Sequence, residues 1–312
     1  MVALYFAMQM TLMMFSGFLL RKTNRVNDSF AKPLTRLFID LVLPCMIINA
    51  MATAPFSLET LHNSLILVGL GVAYFLLTGI VVFLITLFRR NDEYVNQHRF
   101  AMLMPNFTAM GVPISEAFYG AQGVLYNTMM GLPMRIVLYM SVPFLFRKKC
   151  APAHGLKENL RGILKSLNIP PVYATFIGLI LFVTQWRPPE LIMSTLGVIS
   201  KMSLPLGVIL CGIVIGGIPK GSKPRWSVLW VSLFRNFAAP ALMLGLMLLL
   251  RLDPIVSKTA VTMVSLPIAM VYSSFCVAYD AEPQQASLCI LVSTALSVVT
   301  IPMWHYILEQ VF

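Results

Sequence analysis

The chain has 312 residues, of which 58% are apolar and only 11% charged, with a formal net charge of +11. Soluble domains carry about 25% charged residues, so this composition excludes an ordinary soluble domain. The excess of lysine and arginine calls for a membrane explanation before a nucleic-acid one.

A bilayer crossing takes about 20 residues of helix. In chain order, apolar runs bounded by charge or turn residues fall at 2–20, 34–52, 64–88, 100–119, 124–146, 171–186, 191–216, 227–250, 257–279 and 286–308. They predict ten transmembrane helices and a multi-pass protein of the cell membrane. No basic residue precedes the first run, and Arg21, Lys22 and Arg25 follow it. That is the reverse of a secretory leader, so it is read as the first span. Basic residues crowd the odd-numbered connections, among them Arg89, Arg90, Arg147, Lys148, Lys149, Lys220 and Lys223, whereas the even ones hold only Arg187, Arg251 and Lys258. Basic loops stay cytoplasmic, which puts both termini outside.

The long polar connector, 147–170, divides the chain into 1–146 and 171–312, with five predicted spans in each. Similar halves with an odd number of spans insert in opposite senses, the inverted-repeat plan of many secondary transporters. Local patterns agree. Asp40 stands four residues before Pro44 and Lys201 four before Pro205, each proline following a leucine, while spans four and nine carry central prolines, Pro113 and Pro267.

Span four reads Met104-Pro105-Asn106-Phe107-Thr108-Ala109-Met110-Gly111-Val112-Pro113. Proline removes a backbone donor and glycine lowers the cost of irregular backbone. At membrane depth such backbone is tolerated where it lines a cavity. Broken helices are therefore expected, with positive half-helix ends near Pro113 and Pro267 aimed at an anion. The candidate substrate contacts are Asn106, Gly111, Pro113, Pro267, Tyr272 and Ser273, with Arg135 of span five gripping a carboxylate. A charge inside the membrane costs about 2.5–3.5 kcal/mol, so Asp40 and Lys201 are expected to form a structural ion pair and Arg235 to snorkel. The five cysteines follow no metal or disulfide spacing, and neither a metal nor a cofactor is expected. Without an HExxH, a GxSxG or paired intramembrane aspartates, an enzyme is disfavoured.

The motifs resemble those of the auxin efflux carrier family, which is related to the bile acid/sodium symporters. The resemblance rests on Asn106 through Gly111-Val112-Pro113 to Tyr119-Gly120 and Gly123, on Leu196-Gly197, Pro205-Leu206 and Gly212, and on the ninth-span stretch Leu266-Pro267-Ile268-Ala269. It continues through Ala278-Tyr279-Asp280, Ala286-Ser287 and Ser293-Thr294 to Thr300-Ile301-Pro302. It implies an all-α membrane protein of ten helices in two inverted five-helix repeats, with helices four and nine broken and crossing at their prolines. It also implies a scaffold of spans one, two, six and seven beside a transport domain that moves like an elevator. The implied substrate is a small organic anion, a carboxylate or an auxin-like acid. The expected partners are that anion and the lipid bilayer, with no nucleic acid, and a homodimer through the scaffold would suit an elevator. Val271 stands where many members have asparagine, and Tyr279 is followed by Asp280 where Tyr-Gly is usual. The first departure moves the second ligand to Tyr272 or Ser273. A sodium- or proton-coupled symporter of bile-acid-carrier type and a sensor that has lost transport remain as alternatives.

Overall fold

The computed structural model describes residues 2–87, 94–146, 170–217, 225–278 and 282–312, and every named element among them is helical. All but the last residue of the expected 147–170 connector, and the Tyr279-Asp280 pair, lie outside the described residues. The first half comprises α1 (Val2–Lys22), α2 (Asp28–Leu37), α3 (Leu43–Thr53), α4 (Leu58–Leu87), α5 (Val95–Leu103) and α6 (Val112–Leu145). The second comprises α7 (Pro170–Thr184), α8 (Glu190–Ser200), α9 (Ser203–Gly216), α10 (Trp226–Leu233), α11 (Ala239–Leu250), α12 (Pro254–Val264), α13 (Val271–Ala278) and α14 (Pro283–Val311).

Among the described residues, five helical runs are long and apolar enough to cross a bilayer: Ser29–Thr53, Leu58–Leu87, Glu190–Gly216, Trp226–Leu250 and Gln284–Val311. Helix α4 shows why lipid is the solvent. Its outward stripe is Leu65, Val72, Leu76, Ile80 and Phe83, while Asn63, Ser64, Thr78 and Thr86 are buried. A helix in water shows the opposite distribution. The buried hydroxyls are satisfied within the helix, Ser64 donating to the Thr60 carbonyl and Thr86 to that of Val82, each at 2.7 Å.

Among the described residues, three widened, π-type turns interrupt the helices, at Phe38–Val42, Phe107–Gly111 and Phe234–Ala238. They share one cause. Each is followed two residues later by a proline, Pro44, Pro113 or Pro240, whose ring displaces the carbonyl four residues earlier. Those carbonyls belong to Asp40, Ala109 and Asn236, the middle residue of each turn. Freed from the helix, the Asn236 carbonyl accepts the indole N–H of Trp304 at 2.9 Å.

The Asp40–Lys201 spacing has the same origin. Lys201 stands four residues before Pro205, in the turn between α8 and α9. The two charges do not meet: Asp40 lies 3.7 Å from Arg36, and Lys201 is exposed and makes no ion pair among the described residues. The expected Asp40–Lys201 pair is thus replaced by a local one, because Asp40 emerges at a widened turn and Lys201 at the turn between α8 and α9, both exposed on the outside of the packing.

Packing divides the helices into two groups. In the first, α1 crosses α9, and α3 lies on α7 and α8. The α1–α9 crossing is backbone on backbone. A Cβ added at Gly212 would lie 1.9 Å from the Met14 carbonyl oxygen, and one at Gly17 would lie 2.2 Å from that of Ile209. In the second group, α4 and α12 pack on α6, and α10 and α13 pack on α14. Contacts of α3 with α6 and of α1 with α14 join the groups.

Candidate functional site

Two helices stop inside the fold. Helix α5 ends at Leu103 and helical turns resume at Phe107, while α12 ends at Val264 and α13 begins at Val271. The unwound segments run antiparallel and pair. The Asn106 N–H donates to the Pro267 carbonyl at 2.8 Å, and the Ala269 N–H donates to that of Met104 at 3.0 Å.

Buried backbone groups need partners, and side chains from neighbouring helices supply the others. The Ile268 N–H donates to Ser293 Oγ of α14 at 3.2 Å. The Leu103 carbonyl accepts from the Tyr74 hydroxyl of α4 at 2.8 Å, and the Phe107 carbonyl accepts from Asn127 Nδ2 at 3.2 Å. Arg235, from the third widened turn, is 0% exposed. Its guanidinium donates to the carbonyls of Leu266 at 3.0 Å, Met102 at 3.2 Å and Val264, and to Tyr74 Oη at 2.6 Å. The expected snorkelling does not occur. The last carbonyls of α5 and α12 offer this cation the negative ends of two helix dipoles.

The pairing also sets which positions of the two unwound segments correspond across the crossover. Asn106 plays the part of Ala269, Met104 that of Pro267, and Pro105 faces Ile268. Pro113 and Pro267 are therefore not equivalent. The first break centres on Pro105, and Pro113 lies in the helix beyond it.

A cavity of about 890 Å³ lies beside the crossover. Asn106, Phe107 and Thr108 line it from the first break, Ala269, Met270, Val271 and Ser273 from the second, Arg135 from α6, and Gln284 and Ser287 from α14. The facing wall comes from the other packing group and includes Arg21, Lys32, Thr35, Phe38 and Leu210. Both resumed half-helices meet the cavity at their N-terminal ends, where the first N–H groups lack intrahelical partners and the dipole is positive. Arg21, Lys32 and Arg135 are basic, and no acidic residue is among the described residues of the lining. Arg135 is 4% exposed. It donates to Thr108 Oγ1 at 3.4 Å and lies 5.6 Å from the Phe107 ring centre. The side-chain amide of Asn106 hydrogen-bonds to no other described residue, which leaves it available to a ligand.

Of the residues singled out from sequence, Asn106, Arg135 and Ser273 line the cavity, whereas Gly111, Pro113, Pro267 and Tyr272 do not. Gly111 makes room: a Cβ there would lie 2.8 Å from Leu266 Cδ1 and 2.9 Å from Asn127 Oδ1. Pro113 widens the turn before it, and Pro267 contributes a carbonyl to the crossover. Tyr272 is buried, its ring 5.7 Å from Phe100 and 6.1 Å from Phe146. The helix turn that brings Val271 and Ser273 to the cavity carries Tyr272 to the opposite side. Arg21, Lys32 and Thr35 escape a reading by spans, because residues at span ends look like topology signals. Thr108 and Ser287 sit inside quoted motifs, but only the fold shows which of their neighbours reach the cavity.

A family model described as membrane transport protein matches residues 6–305. An uncharacterized transporter of Methanothermobacter thermautotrophicus is 23% identical over 298 residues, covering 94% of each chain. With an all-helical fold, lipid-facing apolar stripes and a basic cavity at a pair of interrupted helices, the chain belongs to the membrane transport protein family, of auxin efflux carrier type.

Proposed function

We propose that the protein is a secondary carrier of a small organic anion across the cell membrane. One observation carries this reading: the cavity is lined by Arg21, Lys32 and Arg135, meets two half-helix N-termini, and has no acid among the described residues of its lining. In low dielectric such a site repels cations and favours a carboxylate. The elevator reading is supported by the cavity's position. One packing group supplies the interrupted helices and the other the facing wall, so sliding one past the other would move a bound anion across the membrane. In this reading the helices form ten spans in two inverted repeats, α1, α2–α3, α7 and α8–α9 are the scaffold, and both termini lie outside. Uptake of labelled malonate and indole-3-acetate by proteoliposomes is the test. Saturable uptake of at least one acid, competed by carboxylates and not by their amides, is expected. Equal competition by acid and amide would overturn the anion specificity.

A further inference from the structure

Arg235 has the largest of the fully buried side chains described, and its partners are all neutral oxygens. The carbonyls of Met102, Val264 and Leu266 and the Tyr74 hydroxyl converge on one guanidinium. Tyr74 extends the set by donating to Leu103. These carbonyls are one from the last turn of α5, the last of α12 and one of the second break. In carriers with interrupted helices, unwound carbonyls and half-helix C-terminal ends are where a coupling sodium ion binds. Here a side chain of the protein fills that position.

We propose that Arg235 is a tethered cation standing in place of a coupling ion. It ties both half-helix ends into the geometry that forms the cavity, so anion binding requires neither sodium nor potassium. Arg235 lies outside the cavity lining, which makes it a positioning residue. For its consequence on transport the inference rests on the anion-carrier reading.

The test has two arms. In the first, thermal unfolding of purified wild type, Arg235→Ala and Arg235→Lys is followed in N-methyl-D-glucamine, sodium and potassium chloride, with and without millimolar guanidinium. The wild type should melt at one temperature in all media. Arg235→Ala should melt lower and recover part of the loss with guanidinium or sodium, since a ligand bound only by the folded state raises the melting point. Arg235→Lys should fall between. A wild type stabilised by sodium, or an Arg235→Ala protein that no cation restores, would overturn the proposal. The second arm needs no variant and decides the matter if Arg235→Ala does not fold. Wild-type proteoliposomes should take up labelled malonate or indole-3-acetate equally in the three media. Stimulation by sodium or potassium of the size expected for coupled sites, about 5–150-fold, would overturn the tethered cation and leave the carrier reading standing. No uptake of either acid in any medium would count against the carrier reading, and the melting data would still decide Arg235.

Discussion

Asn106 and Ala269 hold mirrored places in the crossover. Each sends its backbone N–H to the opposite segment, Asn106 to Pro267 at 2.8 Å and Ala269 to Met104 at 3.0 Å. Both residues line the cavity, yet one presents an amide and the other a methyl group. The site is thus polar on one half and apolar on its counterpart.

That asymmetry sets the first expectation. Asn106→Ala should weaken ligand binding by about 1–3 kcal/mol, the cost of stranding a polar partner, with little loss of folded protein. Ala269→Asn should shift preference toward smaller, more polar acids by adding a second amide. Ligand-induced melting shifts with a panel of mono- and dicarboxylates would read both. An Asn106→Ala profile identical to wild type would remove Asn106 from the site.

Arg135 should bind the charge. Arg135→Gln keeps hydrogen bonding and removes the cation, so it should weaken carboxylate binding far more than binding of the neutral amide. Arg135→Lys should recover only part, since an ammonium lacks the planar fork. Competition binding of an acid and its amide to the three proteins decides it, and an unchanged acid-to-amide ratio in Arg135→Gln is the adverse result.

The α1–α9 contact should be intolerant. Gly212→Val places branches where even a Cβ would lie 1.9 Å from the Met14 carbonyl oxygen, and overpacking of this kind costs about 1–3 kcal/mol or more. Gly245→Ala is the matched control, because nothing lies within 4 Å of its Cβ position and alanine favours helix by about 0.8–1.0 kcal/mol. Detergent-extracted Gly212→Val should melt well below wild type and Gly245→Ala at or above it.

Orientation is checked by labelling. In a background freed of native cysteines, Ser29→Cys should react with an impermeant thiol reagent only in opened cells, and Pro55→Cys in intact ones. The reverse pattern would invert the topology.

The outline of this fold was legible in the sequence because lipid imposes length and polarity on each helix, and α4 obeys both. Charge asymmetry and proline placement were legible for similar reasons. What sequence spacing misjudged was three-dimensional register. Pro113 and Pro267 look equivalent along the chain, but the Asn106–Pro267 bond aligns Pro267 with Met104. Asp40 and Lys201 look like partners, yet their spacing from proline records a displaced carbonyl. Tyr272 carries a suitable hydroxyl, but one step of helix rotation buries it among Phe100 and Phe146. Arg235 was the largest surprise. A cation with no acidic partner in sequence reads as a snorkelling end, and only the fold brings helix-end carbonyls from two distant segments to it.

Gly120 interrupts α6 with φ 62° and ψ −153°, a conformation essentially closed to other residues. A Cβ there would touch nothing within 4 Å, so the constraint is torsional. This single residue is the whole joint between the half-helix leaving the cavity and the long helix bearing Arg135. There is no spare chain to absorb slack. The angle between the half-helix and the helix bearing Arg135 is therefore set by the two torsions of Gly120 alone, and that angle fixes how far the guanidinium stands from the helix end. A D-alanine at this joint should preserve that linkage, whereas an L-alanine should strain it.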